Sequence, residues 1–161
     1  MKTLVIYDSL YGNTRIIAQA ITDAIPGDVN LVHVSEVNAS QLGIYDLLIV
    51  GAPTHGGRAS EAVSSLLGRI EAAALVGVKV TAFDTRLPWW WLRVFGFAAP
   101  KIARSLIKKG GELVGAAEGF FVTGGEGPLQ DGEVERAAAW AKEILNSLQV
   151  VRKRQAELAL R

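Results

Sequence analysis

Six consecutive residues, Ser9, Leu10, Tyr11, Gly12, Asn13 and Thr14, have the types and spacing best suited to chemistry in this chain of 161 residues. They follow the apolar run Leu4-Val5-Ile6-Tyr7 and lead into Arg15-Ile16-Ile17-Ala18, where a helix is expected to open. A helix N-terminus presents unpaired backbone N–H groups and a partial positive charge, so an anion placed there is stabilised. Gly12 lets the backbone approach such an anion closely, and Ser9, Tyr11 and Thr14 bring hydroxyl donors. The chemistry these residues suit is the binding of a phosphate. The segment has no Lys and lacks the spacing of a nucleotide-triphosphate loop. It also lacks the three-glycine spacing of a dinucleotide fingerprint.

The elements that must position this loop alternate along the chain. Short apolar runs bounded by Gly, Pro or polar residues predict strands over 3–8, 29–34, 46–52, 77–83 and roughly 113–122. Helices are expected over 13–25, 60–74, 98–110 and 132–149. Ile17, Ala20, Ile21, Ala24 and Ile25 form the stripe of the first helix, which Pro26-Gly27 ends. Alternating β and α units imply a parallel sheet covered by helices on both faces, a three-layer α/β domain. Five strands fit either of the common doubly wound orders.

The segment Ser9-Leu10-Tyr11-Gly12-Asn13-Thr14, placed directly after the first strand, resembles the FMN-phosphate loop of flavodoxins, with Tyr11 where the family usually has Thr. The resemblance extends over residues 2–149. It implies the doubly wound five-stranded order 2-1-3-4-5, which puts the ligand crevice beyond the carboxyl ends of strands one and three. Residues 9–14 and 53–58 occupy those two positions. In the family the second of these loops covers one face of the isoalloxazine ring. That role falls here to Pro53, Thr54, His55, Gly56, Gly57 and Arg58. Gly56-Gly57 has a physical logic of its own. One-electron reduction protonates flavin N5, and a neighbouring peptide must turn over to offer it a carbonyl, which Gly tolerates cheaply.

By the same resemblance, a third loop, Asp84-Thr85-Arg86-Leu87-Pro88, packs the outer face of the flavin, with Asp84, Thr85 and Arg86 as its candidate contacts. Main-chain groups of Asp84 and Thr85 would bind the pyrimidine edge, and Arg86 would reach the O2/N1 side. With Arg58 and Arg86 against only Asp84, the second reduction step is expected to be less negative than in an acidic flavodoxin. The sequence then departs from the family pattern with Trp89-Trp90-Trp91-Leu92-Arg93-Val94-Phe95-Gly96-Phe97. This run suits core packing, an oligomer contact, a Trp89 stack on the flavin or a membrane-surface contact. Gly119 to Leu129 resembles the last strand and loop of small flavodoxin-domain proteins. Glu133 and Glu135 fall in the first turn of the final helix, where acid favours the dipole, and are read as structural.

Composition narrows the function classes. Half of the residues are hydrophobic and a fifth are charged, ordinary for one globular domain. With no Cys and two widely separated His, neither a disulfide framework nor a Cys/His metal site is expected. The absence of Cys fits a reducing cytoplasm, and no transmembrane or leader segment is read. The formal net charge is +1. Arg152, Lys153, Arg154 and Arg161 against Glu157 make residues 150–161 a basic, solvated tail to a near-neutral domain of residues 1–149, which argues against nucleic acid as the main partner. The expectation is an FMN-binding electron-transfer protein serving a redox partner protein or a small-molecule acceptor, with no catalytic residues of its own. The alternatives are an NAD(P)H-dependent FMN reductase of quinones and a flavin-free binding module of the same fold. Membrane contact through Trp89–Phe97 or through the basic tail is a further option, and the oligomeric state is left open.

Overall fold

The computed structural model describes residues 1–161. Strand β1 (Lys2–Tyr7) lies at the centre of a parallel sheet, flanked by β2 (Asp28–His33) and β3 (Leu47–Pro53). Strand β4 (Lys79–Arg86) continues beyond β3, and β5 (Glu112–Leu113) and β6 (Glu118–Phe121) both pair with its outer edge. The order is thus β2-β1-β3-β4 followed by one position shared between β5 and β6. This is the expected 2-1-3-4-5 arrangement, with the fifth strand in two pieces.

The interruption has a visible cause. Glu112 pairs with Lys79 and Glu118 with Phe83, so the intervening 114–117 stretch is too long for the part of β4 it spans. The surplus loops out at Gly115 (φ 67°), while Val114 keeps its bond to the Val80 carbonyl at 3.0 Å and stays buried.

Side-chain alternation along the strands divides the core into two layers. Leu4, Ile6, Leu48, Val50, Val80 and Ala82 face helices α2 (Glu61–Arg69) and α3 (Ala98–Lys108). Val5, Leu47, Ile49 and Phe83 face helices α1 (Asn13–Ala24) and α4 (Glu133–Ala159). In the second layer Phe83, Phe120 and Trp140 meet edge to face, with ring centroids 6.0 to 6.3 Å apart. Phe83 lies directly over Gly51 in β3, where any Cβ would overlap its ring.

Two helices differ from their expected lengths. α2 stops at Arg69 because Ile70 turns to extended geometry (φ −71°, ψ 123°) to bury its side chain, and Lys109 Nζ donates to its carbonyl at 2.5 Å. α4 does not end at residue 149 but runs to Ala159. The basic tail is therefore the exposed end of a continuous helix rather than a frayed extension.

Candidate functional site

The turn after β1 is built by its own side chains. Asp8 Oδ1 accepts the Ser9 N–H at 2.9 Å and lies 3.3 Å from His33 Nε2, which holds the carboxylate against β2. Ser9 Oγ accepts the Gly12 N–H at 3.0 Å, leaving its hydroxyl hydrogen free to donate. Gly12 takes the left-handed conformation (φ 92°) at the N-cap of α1, and no side chain caps the helix. Its Cβ position is open space. Thr14 is buried, and its hydroxyl shares a 2.8 Å hydrogen bond with that of Thr85 at the end of β4. Asn13 Nδ2 donates to the Glu126 carbonyl at 3.1 Å, tying the loop after β6 to this turn. Leu10 and Tyr11 are exposed at its tip.

Beyond β3, His55 and Arg58 exchange two backbone hydrogen bonds of 2.9 and 3.0 Å around Gly56 and Gly57. Both glycines have positive φ (55° and 77°), so the tight turn needs them. Thr54 Oγ1 accepts the Ala98 N–H at 2.9 Å and thereby fixes the start of α3 against the turn. Lys101 Nζ donates to the Gly57 carbonyl at 2.6 Å and to the Phe95 carbonyl at 3.2 Å.

Asp84, Thr85 and Arg86 are the last residues of β4 and not a loop. The Thr85 carbonyl accepts the Thr54 N–H and the Arg86 carbonyl accepts the Val122 N–H, both at 2.9 Å. The Thr85 and Arg86 carbonyls are therefore engaged with neighbouring segments of the fold. The Asp84 side chain is fully buried. Its carboxylate takes Arg86 Nε and Nη2 at 2.6 and 2.8 Å and the Ala99 N–H at 2.8 Å. The Arg86 guanidinium also lies 3.7 Å from the centroid of Phe97. Arg86 is thus a neutralised, stacked group, and Arg58 lines a groove between α2 and α3 on the other side of its turn.

Two adjoining clefts, of about 170 and 70 Å³, open where these segments meet. Thr54, His55, Arg86 and Leu87 line both. Gly56, Gly57 and Phe97 line the larger, while Asn13, Thr85 and Gly125 line the smaller. The 9–14 and 53–57 segments thus lie together beyond the carboxyl ends of β1 and β3. Phe97 and Gly125 are cleft-lining residues that the sequence alone did not single out. The one available signal was the aromatic Phe97 immediately before a helix carrying Ala98 and Ala99 on its buried face.

The sequence profile described as "Flavodoxin domain" matches residues 4–87, which include the first turn, the second turn and all of β4. The chain belongs to the flavodoxin-domain family. A flavodoxin of Maridesulfovibrio salexigens is 34% identical over 89 residues, covering 51% of this chain and 61% of that one, so the match spans less than two thirds of the relative. The oxidised flavodoxin 2 of Bacillus cereus superposes with a TM-score of 0.76 at 26% identity, covering 91% of this chain and 99% of that one. A rubredoxin:oxygen oxidoreductase of Desulfovibrio gigas shares the fold over 92% of this chain but only 36% of its own length, with a TM-score of 0.71 and 20% identity. Flavodoxin-family proteins bind FMN.

The residues of this chain fit that cofactor at its phosphate end. An uncapped helix N-terminus, an open Gly12 and the Ser9 and Thr14 hydroxyls form a donor set suited to a terminal phosphate.

Proposed function

We propose that this chain is an FMN-binding electron carrier. The observation that carries the reading is the convergence of the uncapped α1 N-terminus with the Thr54–Gly57 turn, in a chain of the flavodoxin-domain family. Bound FMN would supply one- and two-electron chemistry, while the protein supplies position and surroundings. Ser9 to Thr14 hold the phosphate through N–H and hydroxyl donors. Pro53 directs the chain out of β3, and Thr54, held by Ala98, fixes where the His55–Gly57 turn meets the ring. Gly56 has nothing within 4 Å of its Cβ position, so its peptide has room to turn, whereas Gly57 is packed against the Phe95 carbonyl and clamped by Lys101. Asp84, Thr85 and Arg86 act from behind the ring, through the Thr14–Thr85 bond and the Arg86–Phe97 stack.

A redox partner protein or a small acceptor would receive the electrons, and the cytoplasm is the proposed compartment. No helix is long and apolar enough to cross a membrane. Purified protein should be yellow and release FMN on denaturation, and alone it should oxidise NADPH slowly. Rapid NADPH oxidation would favour a reductase, and a failure to bind any flavin at micromolar concentration would leave a flavin-free module of the same fold.

A further inference from the structure

The 3-10 helix Trp90–Phe95, which follows β4, buries none of its residues. Trp90 is 76% exposed, Val94 86% and Phe95 59%, with Trp89 and Trp91 stacked beside them at 5.3 Å. The large apolar side chains of this short element serve neither the core nor the clefts, apart from Leu92 and Phe95, which line the larger cleft. None of the three indole N–H groups finds an acceptor within the protein, whereas the buried Trp140 donates to the Ala116 carbonyl. Wet, unpaired indoles on an apolar projection match the headgroup layer of a bilayer, where one end of the ring is apolar and the other hydrated.

Charge points to the kind of bilayer. Between Asp84 and Glu112 the chain has no acid, but it carries Arg86, Arg93, Lys101, Arg104, Lys108 and Lys109. Asp84 itself is buried and paired with Arg86. Arg93 lies within the aromatic helix, and Lys101 is bonded to its last carbonyl. The preceding turn adds Arg58, with Glu61 the acid that follows it at the start of α2. The other basic segment cannot share one flat surface with this one. Arg152 and Gln155 of α4 lie beside Met1, Asp46 and Lys79, at the amino-terminal end of the sheet, while the aromatic helix follows its carboxyl end.

We propose that the Trp89–Phe95 projection docks this protein on anionic lipid bilayers, with Trp90, Val94 and Phe95 entering the headgroup layer and Arg93 and Lys101 facing lipid phosphates. The cleft lined by His55, Gly56 and Leu92 borders the same projection, so docking turns the candidate flavin site toward the bilayer. The binding needs no flavin and stands apart from the cofactor assignment.

The test is flotation of the full-length protein with vesicles of phosphatidylcholine alone and with about 30% phosphatidylglycerol. Binding should require the anionic lipid, weaken as salt rises, and shift tryptophan emission to the blue. The double variant Trp90→Ser/Val94→Ser should reduce binding about tenfold or more, because the apolar insertion is lost. Arg93→Gln should weaken it several-fold, and Arg152→Gln/Arg154→Gln should leave it unchanged. These positions are exposed, so circular dichroism should report an intact fold for each variant. Absence of binding to anionic vesicles, or equal binding by the double variant, would overturn the proposal. So would parent protein that ignores vesicles but forms a dimer abolished by Trp90→Ser/Val94→Ser, since the projection would then serve a second copy of this chain.

Discussion

Asp84 and Arg86, two residues apart at the end of β4, form a bidentate ion pair in which the carboxylate has no exposed surface. Alternate residues on a strand point to the same face, so this pairing is local and the sheet holds it in register. It converts the arginine that sequence alone places at the flavin as a free cation into half of a neutral unit.

The pair determines how charge acts on the cofactor. Asp84→Asn keeps an acceptor for the Ala99 N–H but frees the positive charge of Arg86. A single screened cation beside the reduced ring contributes about 1 kcal/mol, so the second reduction step should become less negative in this variant. Arg86→Gln instead strands a buried carboxylate and should destabilise the fold by about 3 kcal/mol. Reductive titration and urea unfolding read the two effects separately. An unaltered stability for Arg86→Gln would show that the pair does not form in solution.

Thr14 links the two ends of the candidate site through Thr85. Thr14→Ala should weaken FMN binding by about 1–2 kcal/mol, the scale of a hydrogen bond to a charged group. It should also lower the stability of the flavin-free protein by about 1 kcal/mol, since Thr85 loses a buried partner. Thr14→Ser, which keeps the hydroxyl, should retain most of both. Flavin fluorescence titration and chemical denaturation of the three proteins check this.

Packing around Phe83 makes a prediction remote from the site. Gly51→Ala would drive a methyl into the Phe83 ring and disturb its contacts with Phe120 and Trp140. The expected loss is about 1–3 kcal/mol, the usual range for overpacking a core. Gly68→Ala, in α2 with open space around it, should be neutral or slightly stabilising in the same thermal melt.

Glu133 predicts an acid sensitivity. Burial raises its pKa, but hydrogen bonds from Arg136 and from the Phe121 N–H, together with the Arg136 charge, outweigh burial and hold it below the ordinary carboxylate value. A lowered folded-state pKa gives stability that is complete above the unfolded value of about 4.3 and lost as pH falls through the folded one. Stability should therefore fall on acidification below about pH 5, and Glu133→Gln should flatten part of that slope while lowering stability at neutral pH by about 2 kcal/mol. Equal slopes for parent and variant would remove Glu133 from the account.

The alternation of strands and helices and the position of the first turn were legible because both rest on local signals, whereas the strand order followed only from the resemblance of residues 9–14 to a flavodoxin phosphate loop. The apolar run of β1, the Gly at the N-cap and the Pro26-Gly27 stop are each contained within a few residues. The structural role of Glu133 was visible for the same reason, as an acid in the first turn of a helix. The break between β5 and β6 was not legible, because it arises from register against β4 and not from the segment's own composition. Nor was the burial of Asp84 foreseeable, since it depends on α3 bringing the Ala99 N–H to the strand end. The length of α4 was underestimated for a different reason. Residues 150–159, with Arg152, Lys153, Arg154 and Glu157, read as a solvated basic tail, but helix propagation from a well-packed stem carries them on.

In the proposed function, the Ser9–Thr14 turn grips the phosphate of a bound flavin mononucleotide. The most direct measurement is a titration of the flavin-free protein with FMN, riboflavin and FAD, followed by quenching of flavin fluorescence. Charge-assisted hydrogen bonds from the turn act only on the phosphate, so FMN should bind at least about tenfold more tightly than riboflavin. FAD should bind worse than FMN, because a turn closed on a terminal phosphate leaves no path for the adenosine half. Equal affinities for FMN and riboflavin, or no binding of either, would contradict the account.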